Sequence, residues 1–338
     1  MGLIKLGGNE PTDGSLPSPP GIFILLCIEL LCKSTWRLAQ SYDCVSERMF
    51  NRRSFTDLFY RTCAKGYAQM SPEAQACLTD SVQAAQGPDG LFYGRAGQED
   101  LYYTFFGLLL ATITGAKIQR KKCNEKLRSM DFAALDLVHA CAWLRAKRLL
   151  RRFVLPRWIR NLTIAAPFDF AELPPSAFPQ QDRESPYSQF LLSTLYADFG
   201  KTLREPNLAE YRLPSGLYAN LKHHSEYGVN ATAAALFLIS NEKADETADA
   251  LLSLQESDGT FKAVASAPEG DLLSTATAIF ALKRRGRIPK ISVKSLLREC
   301  FRDNGFFAAA PDDPHGDLEY TVYGLLAMGI NKTTEPQS

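Results

Sequence analysis

The chain has 338 residues, of which 46% are hydrophobic, and a formal net charge of +1. That content supports a sizeable core, and the near-neutral balance gives no global field toward nucleic acid, so no nucleic-acid partner is expected. The eight cysteines, at 27, 32, 44, 63, 77, 123, 141 and 300, form no Cys-x-x-Cys pair. A chain of this length needs no disulfide framework, so reduced thiols and a cytoplasmic location are expected.

In chain order, the first feature is an apolar run of twelve residues, Gly21 to Cys32 (GIFILLCIELLC), which contains Glu29. A membrane span needs roughly 20 apolar residues, and the polar, Pro-rich stretch before the run is a poor n-region for a signal peptide. Residues 1–48 lie outside the repeat described next. They are read as an extension, either poorly ordered or preceding a true start at Met49, with a docked helix or an export signal as alternatives. Residues 49–332 are expected to form one repeat domain, and 333–338 a tail.

Four segments share one pattern: GLFYGRAGQEDLYYTFFGLLLA from Gly90, GLYANLKHHSEYGVNATAAALFL from Gly216, GTFKAVASAPEGDLLSTATAIFAL from Gly259 and GFFAAAPDDPHGDLEYTVYGLLAM from Gly305. An aromatic residue follows each glycine. Ten or twelve residues on comes an acid (Asp100, Glu226, Asp271, Asp317), and four residues later a small polar group (Thr104, Asn230, Thr275, Thr321). Fainter copies start at Asp136 and at Glu184, the latter followed by Ser188. The acids are 36, 48, 42, 45 and 46 residues apart, the length of two helices of about four turns with their loops. The segments lack the period-2 alternation of strands.

Each unit has a physical reading. A first helix such as 242–255 carries apolar residues on one face only. The Asp-Gly or Asn-Gly after it allows positive φ, and the aromatic pins the loop to the core. The acid then opens a second helix, at the positive end of its dipole. That second helix (TATAIFAL, NATAAALFL) is apolar all round and is expected to be buried. Half-wet helices alternating with buried ones imply an all-α fold, an α/α toroid of about six hairpins with an outer and an inner ring.

These residues resemble the β subunits of protein prenyltransferases and, more loosely, the squalene and terpene cyclases. QGPDGLFYGRAGQEDLYYTFFGLLL and GDLEYTVYGLLAMG look like that family's Gly-Gly-Phe loop and Asp-Leu-x-Tyr-Thr helix start. The resemblance covers about residues 70–330 and extends to uncharacterised bacterial relatives. It implies a toroid with a central cavity. It also implies a zinc site of Asp-x-Cys and His, but here Asp271-Leu272-Leu273 puts Leu273 at the cysteine position, and Tyr320 stands at the histidine position. Neither is a normal zinc ligand, so no metal and no cofactor are expected. The family's Gly-Arg-x-x-Lys diphosphate loop is replaced by FKAVASAPEG. The adjacent carboxylates of a cyclase acid are missing as well, since Asp271 stands alone.

The expected site is therefore a cavity lined by Asp100, Tyr103, Thr104, Glu226, Tyr227, Asn230, Asp271, Thr275, Asp317, Tyr320 and Thr321, with Asp271 and Asp317 as the candidate catalytic acids. The carboxylates read equally as repeated helix caps, and the tyrosines as core packing or an aromatic lining for a carbocation. Whether the chain is an enzyme stays open. The first expectation is zinc-independent binding or conversion of a hydrophobic, isoprenoid-like substrate. The alternatives are a non-catalytic scaffold that binds a protein partner and a farnesyl or geranylgeranyl transferase β-like subunit with an altered metal site. Between Lys117 and Arg160 there are thirteen Lys or Arg and three acids. Arg145, Arg148, Arg151 and Arg152 are expected on a basic surface, with residues 145–160 as a contact for an anionic membrane, an acidic partner or a diphosphate.

Overall fold

The computed structural model describes residues 54–152, 183–240 and 242–330. They all belong to one of two units into which the chain divides, Arg53–Ser338; the extension at 1–48 and the tail at 333–338 lie outside the described residues. The described part is all-α: eleven helices, two 3₁₀ turns and one two-residue antiparallel pair, β1 (Phe92–Tyr93) with β2 (Glu99–Asp100).

Among the described residues half-wet and buried helices alternate in four pairs, whereas the buried helices Leu137–Arg152, Pro186–Asp198 and Val229–Leu236 follow one another with no half-wet helix described between them. α1 (Phe55–Tyr67) and α2 (Pro72–Ala84) are capped by Ser54 and Ser71. α3 (Leu101–Thr114) is buried along most of its length, whereas α2 buries only Leu78 and Val82. α4 (Arg120–Ser129) is again half-wet, burying Cys123 and Leu127, and is followed by α5 (Leu137–Arg152). α6 (Pro186–Asp198) and α7 (Val229–Leu236) are buried. The half-wet α8 (Glu242–Ser253) precedes the buried α9 (Leu272–Arg284), and α10 (Lys294–Cys300) precedes the buried α11 (Leu318–Ile330). Consecutive buried helices pack on one another, α3 on α5, α5 on α6, α6 on α7, α7 on α9 and α9 on α11. α11 also packs on α3, and most extensively on α1.

One bond recurs in every clear copy of the repeat. The loop aromatic donates its backbone N–H to a threonine hydroxyl one turn into the next buried helix. The pairs are Phe92 to Thr104 (2.9 Å), Tyr218 to Thr232 (2.9 Å), Phe261 to Thr275 (3.0 Å) and Phe307 to Thr321 (2.9 Å). All four hydroxyls are fully buried. In three of them the hydroxyl also donates to the carbonyl four residues back, on Asp100, Gly228 and Asp317. The glycine that starts each loop has positive φ, 94° at Gly90, 84° at Gly216, 90° at Gly259 and 80° at Gly305, a conformation costly for any residue with a Cβ. At Gly90 a Cβ would also stand 2.4 Å from the Cys123 nitrogen.

Replacing Thr275 with valine keeps the volume and removes the acceptor, leaving the buried Phe261 N–H unsatisfied. Thr275→Val is expected to lower unfolding free energy by about 1–3 kcal/mol, and Thr275→Ser by much less. Urea denaturation of the two variants checks this.

Candidate functional site

The residues expected to line a cavity are mostly parts of this latch. Asp100, Asp271 and Asp317 are helix caps that accept from the backbone N–H of Tyr103, Ser274 and Tyr320 (each 2.8 Å). Thr104, Thr275 and Thr321 are sealed in the core. In the second copy the expected register is off by two residues. The cap position of α7 is held by Gly228 and the latch by Thr232, so Glu226 and Asn230 have other roles. Glu226 is half-buried and accepts from the Ser266 N–H at 2.9 Å. Asn230 bridges to α9 through Ser274 (3.2 Å) and Thr277 (2.6 Å), and the half-buried Tyr227 packs on the core edge. In the fainter copy at Glu184 the cap is Ser185, which accepts from the Ser188 N–H at 3.1 Å.

Polar groups gather at the starts of α3 and α11. Arg95, in the loop of the first clear copy, reaches the last copy, where its guanidinium bonds Asp317, Asp313 (2.5 Å) and the His315 carbonyl (3.1 Å). It also lies 5.0 Å from the centre of the Tyr320 ring. Next to it, Tyr102 donates to Glu319 at 2.6 Å, and Tyr102 packs edge-on against Phe106 at 4.9 Å. Burial raises the Glu319 carboxyl above its ordinary range despite the Tyr102 bond, and burial likewise raises Asp317 against the pull of Arg95. The Tyr320 phenol is pushed up to about 12, chiefly by burial and then by Glu319. The arrangement is an aromatic-walled acid pair, with one carboxylate matched by Arg95 and the other held by a phenol.

A second assembly surrounds α1. Phe55 lies 5.0 Å from Phe190, 5.5 Å from Phe237 and 6.2 Å from Phe280, and Phe59 lies 6.0 Å from Phe280. These edge-on pairs bring side chains of α6, α9 and the end of α7 onto one helix. At the other end of α1, Gly66 and Gly329 let it cross α11 closely; a Cβ on Gly329 would stand 1.8 Å from the Thr62 carbonyl oxygen. The first turn of α1 is fastened by Asp198, whose carboxylate is wholly buried. Asp198 accepts from the Ser54 hydroxyl, the Thr56 N–H (2.9 Å) and hydroxyl (2.6 Å), and Arg145 (3.3 Å), and pairs with Arg148 at 3.5 Å.

Arg145 and Arg148 correct the basic-surface expectation, because each is only 6% exposed and turned inward to Asp198. An unpaired carboxylate in the core would cost far more than the two ion pairs supply. Arg151 is exposed, and the side chain of Arg152 and residues 153–182 lie outside the described residues. Asp198, Ser54 and Thr56 were not found from sequence. One signal was present: an acid in the last turn of a helix opposes the dipole, so Asp198 called for a cation. Leu273 is half-buried, and Tyr320 lies beside Arg95. Among the described residues no three of His, Cys, Asp and Glu come together in a way that could hold a metal, and no helix is long and apolar enough to cross a membrane.

Two expected outcomes follow from this geometry. Removing the Asp198 carboxylate strands two buried guanidinium groups, so Asp198→Ala should cost about 3–5 kcal/mol, read by chemical denaturation. Glu319 acts in the opposite direction. Its native pKa lies above its unfolded value, so the stability it contributes is full below the ordinary glutamate value of about 4.3 and is lost as pH rises through the native value. Glu319→Gln, which retains an acceptor for Tyr102, should therefore gain in melting temperature over the wild type as pH rises from 4.5 to 8. Parallel melting curves at every pH would contradict it. The sequence matches no family model and no curated protein.

Proposed function

We propose that the described residues, 54–152, 183–240 and 242–330, form an α/α toroid of the prenyltransferase and cyclase kind whose centre is filled by its own helix α1. In this reading the chain acts by binding a protein partner on its outside, as a non-catalytic scaffold. The observation that carries the reading is α1, with Phe55 and Phe59 against Phe190, Phe237 and Phe280 where a substrate would need space.

Two cycles support the toroid. The buried helices pack in the order α3, α5, α6, α7, α9, α11, and α11 returns to α3. The loop glycines repeat the order on the outside. Gly90 abuts α4, Gly216 abuts α8, Gly259 abuts Ser292 just before α10, and Gly305 returns to α2 at Leu78. In such a ring the starts of the buried helices share one end. Of the partners of α1 named above, Asp198, Phe237, Phe280 and Gly329 come from the opposite end, and Phe190 comes from the first half of α6. At the shared end Asp313 and Asp317 are engaged by Arg95, and Glu319 by Tyr102, so these three carboxylates are committed to bonds within the protein.

A second reading, zinc-independent binding or conversion of a hydrophobic, isoprenoid-like substrate, is favoured by the half-buried Tyr102, Tyr103, Tyr320 and Tyr323 near Glu319. Calorimetry with geranylgeranyl diphosphate, beside native mass spectrometry of the protein from its own host, separates the two. The scaffold reading expects no heat of binding and a co-purified protein. Stoichiometric uptake of the diphosphate, or a co-purified lipid, would replace it with the second reading.

A further inference from the structure

We propose that the outward face of α4, with the segment leading into it, docks an acidic segment of a partner protein; this rests on the scaffold reading above. α4 carries five cations, Arg120, Lys121, Lys122, Lys126 and Arg128, and one acid, Glu125. Lys117, Arg120, Lys121, Lys122 and Arg128 are exposed. Two of the helix cations are matched internally, Lys126 to Asp89 at 2.8 Å and Lys121 to Glu125 at 4.0 Å. Lys122 donates to the Pro88 carbonyl at 3.3 Å and, after Lys126, helps hold the Asp89 carboxyl below its ordinary range. Among the described residues no carboxylate pairs with Arg120, Lys122 or Arg128.

Lys126 and Lys122 tie α4 to the loop at Pro88 and Asp89, whereas no ion pair within the described residues engages Arg120 or Arg128. α4 is held to the protein by the buried Cys123 and Leu127, and by the Trp143 indole N–H, which donates to the Leu127 carbonyl at 2.7 Å. Its first turn places Arg120, Lys121 and Lys122 at the positive end of the helix dipole, and Gln119 supplies no cap bond. Like charge at a helix start is unfavourable, and a local choice that opposes local stability marks a functional position. The field continues onto α5. Lys147 sits 3.7 Å from the centre of the Trp143 ring, and its ammonium titrates below its ordinary value through burial and then the nearby Arg151 and Arg128. Exposed acids elsewhere are matched differently: Arg287 takes Asp245 and Asp249, and Lys222 takes Glu184 and Glu210.

The chemistry of the face selects among anionic partners. Membrane-surface helices bury an apolar face beside their cations, and among the described residues none of the large exposed hydrophobics, Tyr93, Tyr187, Leu221, Ile288 and Ile291, lies on α4. A helix of ten residues is about 15 Å long, which suits a short acidic peptide better than the run of phosphates that drives duplex binding.

The test uses the full chain and a fluorescently labelled peptide of alternating glutamate and aspartate, read by anisotropy across a salt series. Wild type is expected to bind, more weakly as salt rises. The Lys122→Glu, Arg128→Glu pair should weaken binding about tenfold or more at an unchanged unfolding midpoint, because an attraction becomes a repulsion. The neutral pair K122Q and R128Q should show an intermediate loss and guards against a folding defect in the first. No binding by wild type, equal binding by both variants, or tighter binding to phosphatidylserine vesicles or duplex DNA would overturn the proposal. Uptake of geranylgeranyl diphosphate would refute the filled centre and leave the peptide result standing, so the two readings fail separately.

Discussion

A backbone N–H that turns into a core must find an acceptor there, and in this protein a threonine hydroxyl one turn into the next helix provides it. The loop cannot wrap over a buried helix without such a bond, because a stranded amide in the interior costs more than a made hydrogen bond returns. Once Thr104, Thr232, Thr275 and Thr321 take that role, the other repeated residues follow from it. The glycine supplies the positive φ that turns the chain back. The aromatic fills the space beneath the loop, and the cap one turn before the threonine satisfies the helix start. What reads as a line of chemical groups is therefore a device for joining hairpins.

The same economy governs the polar interior around α1. Asp198 ends α6, where the helix dipole disfavours an acid, and it is tolerated because two guanidinium groups and three donors from Ser54 and Thr56 converge on it. The cluster fixes one end of α1 by charge, and the Gly66 and Gly329 crossing fixes the other by close approach. Between them the phenylalanines supply apolar contact without directional demand. α1 is thus specified at its two ends and merely packed in the middle.

The repeat unit was legible because it is local. Glycine, aromatic, cap and threonine lie within about one loop of each other, and their chemistry dictates the bonds they make. The register of the second copy was misread because Glu226 looks like the acid of the other copies, while Gly228 caps with no side chain and Asp-to-Gly exchange hides the alignment. The burial of Arg145 and Arg148 was not legible. A run of cations interleaved with Leu149 and Leu150 has the composition of a wet face, and only the position of Asp198, on another helix, turns two of them inward. The role of Arg95 was hidden for the same reason, since Asp313 and Asp317 are distant in sequence and adjacent only once folded.

The bond from Arg95 to Asp317 joins positions 222 residues apart. In an open array of hairpins each unit gains its neighbours as it is synthesised, and partial chains gain stability step by step. Here the first clear copy keeps an exposed guanidinium and an unfinished flank until the chain past residue 317 has been made. Contacts of that sequence separation slow folding, because loop closure must precede the reward. On the ribosome, the early hairpins therefore present apolar surface for most of the synthesis time, and the last copy acts as the step that ends their exposure.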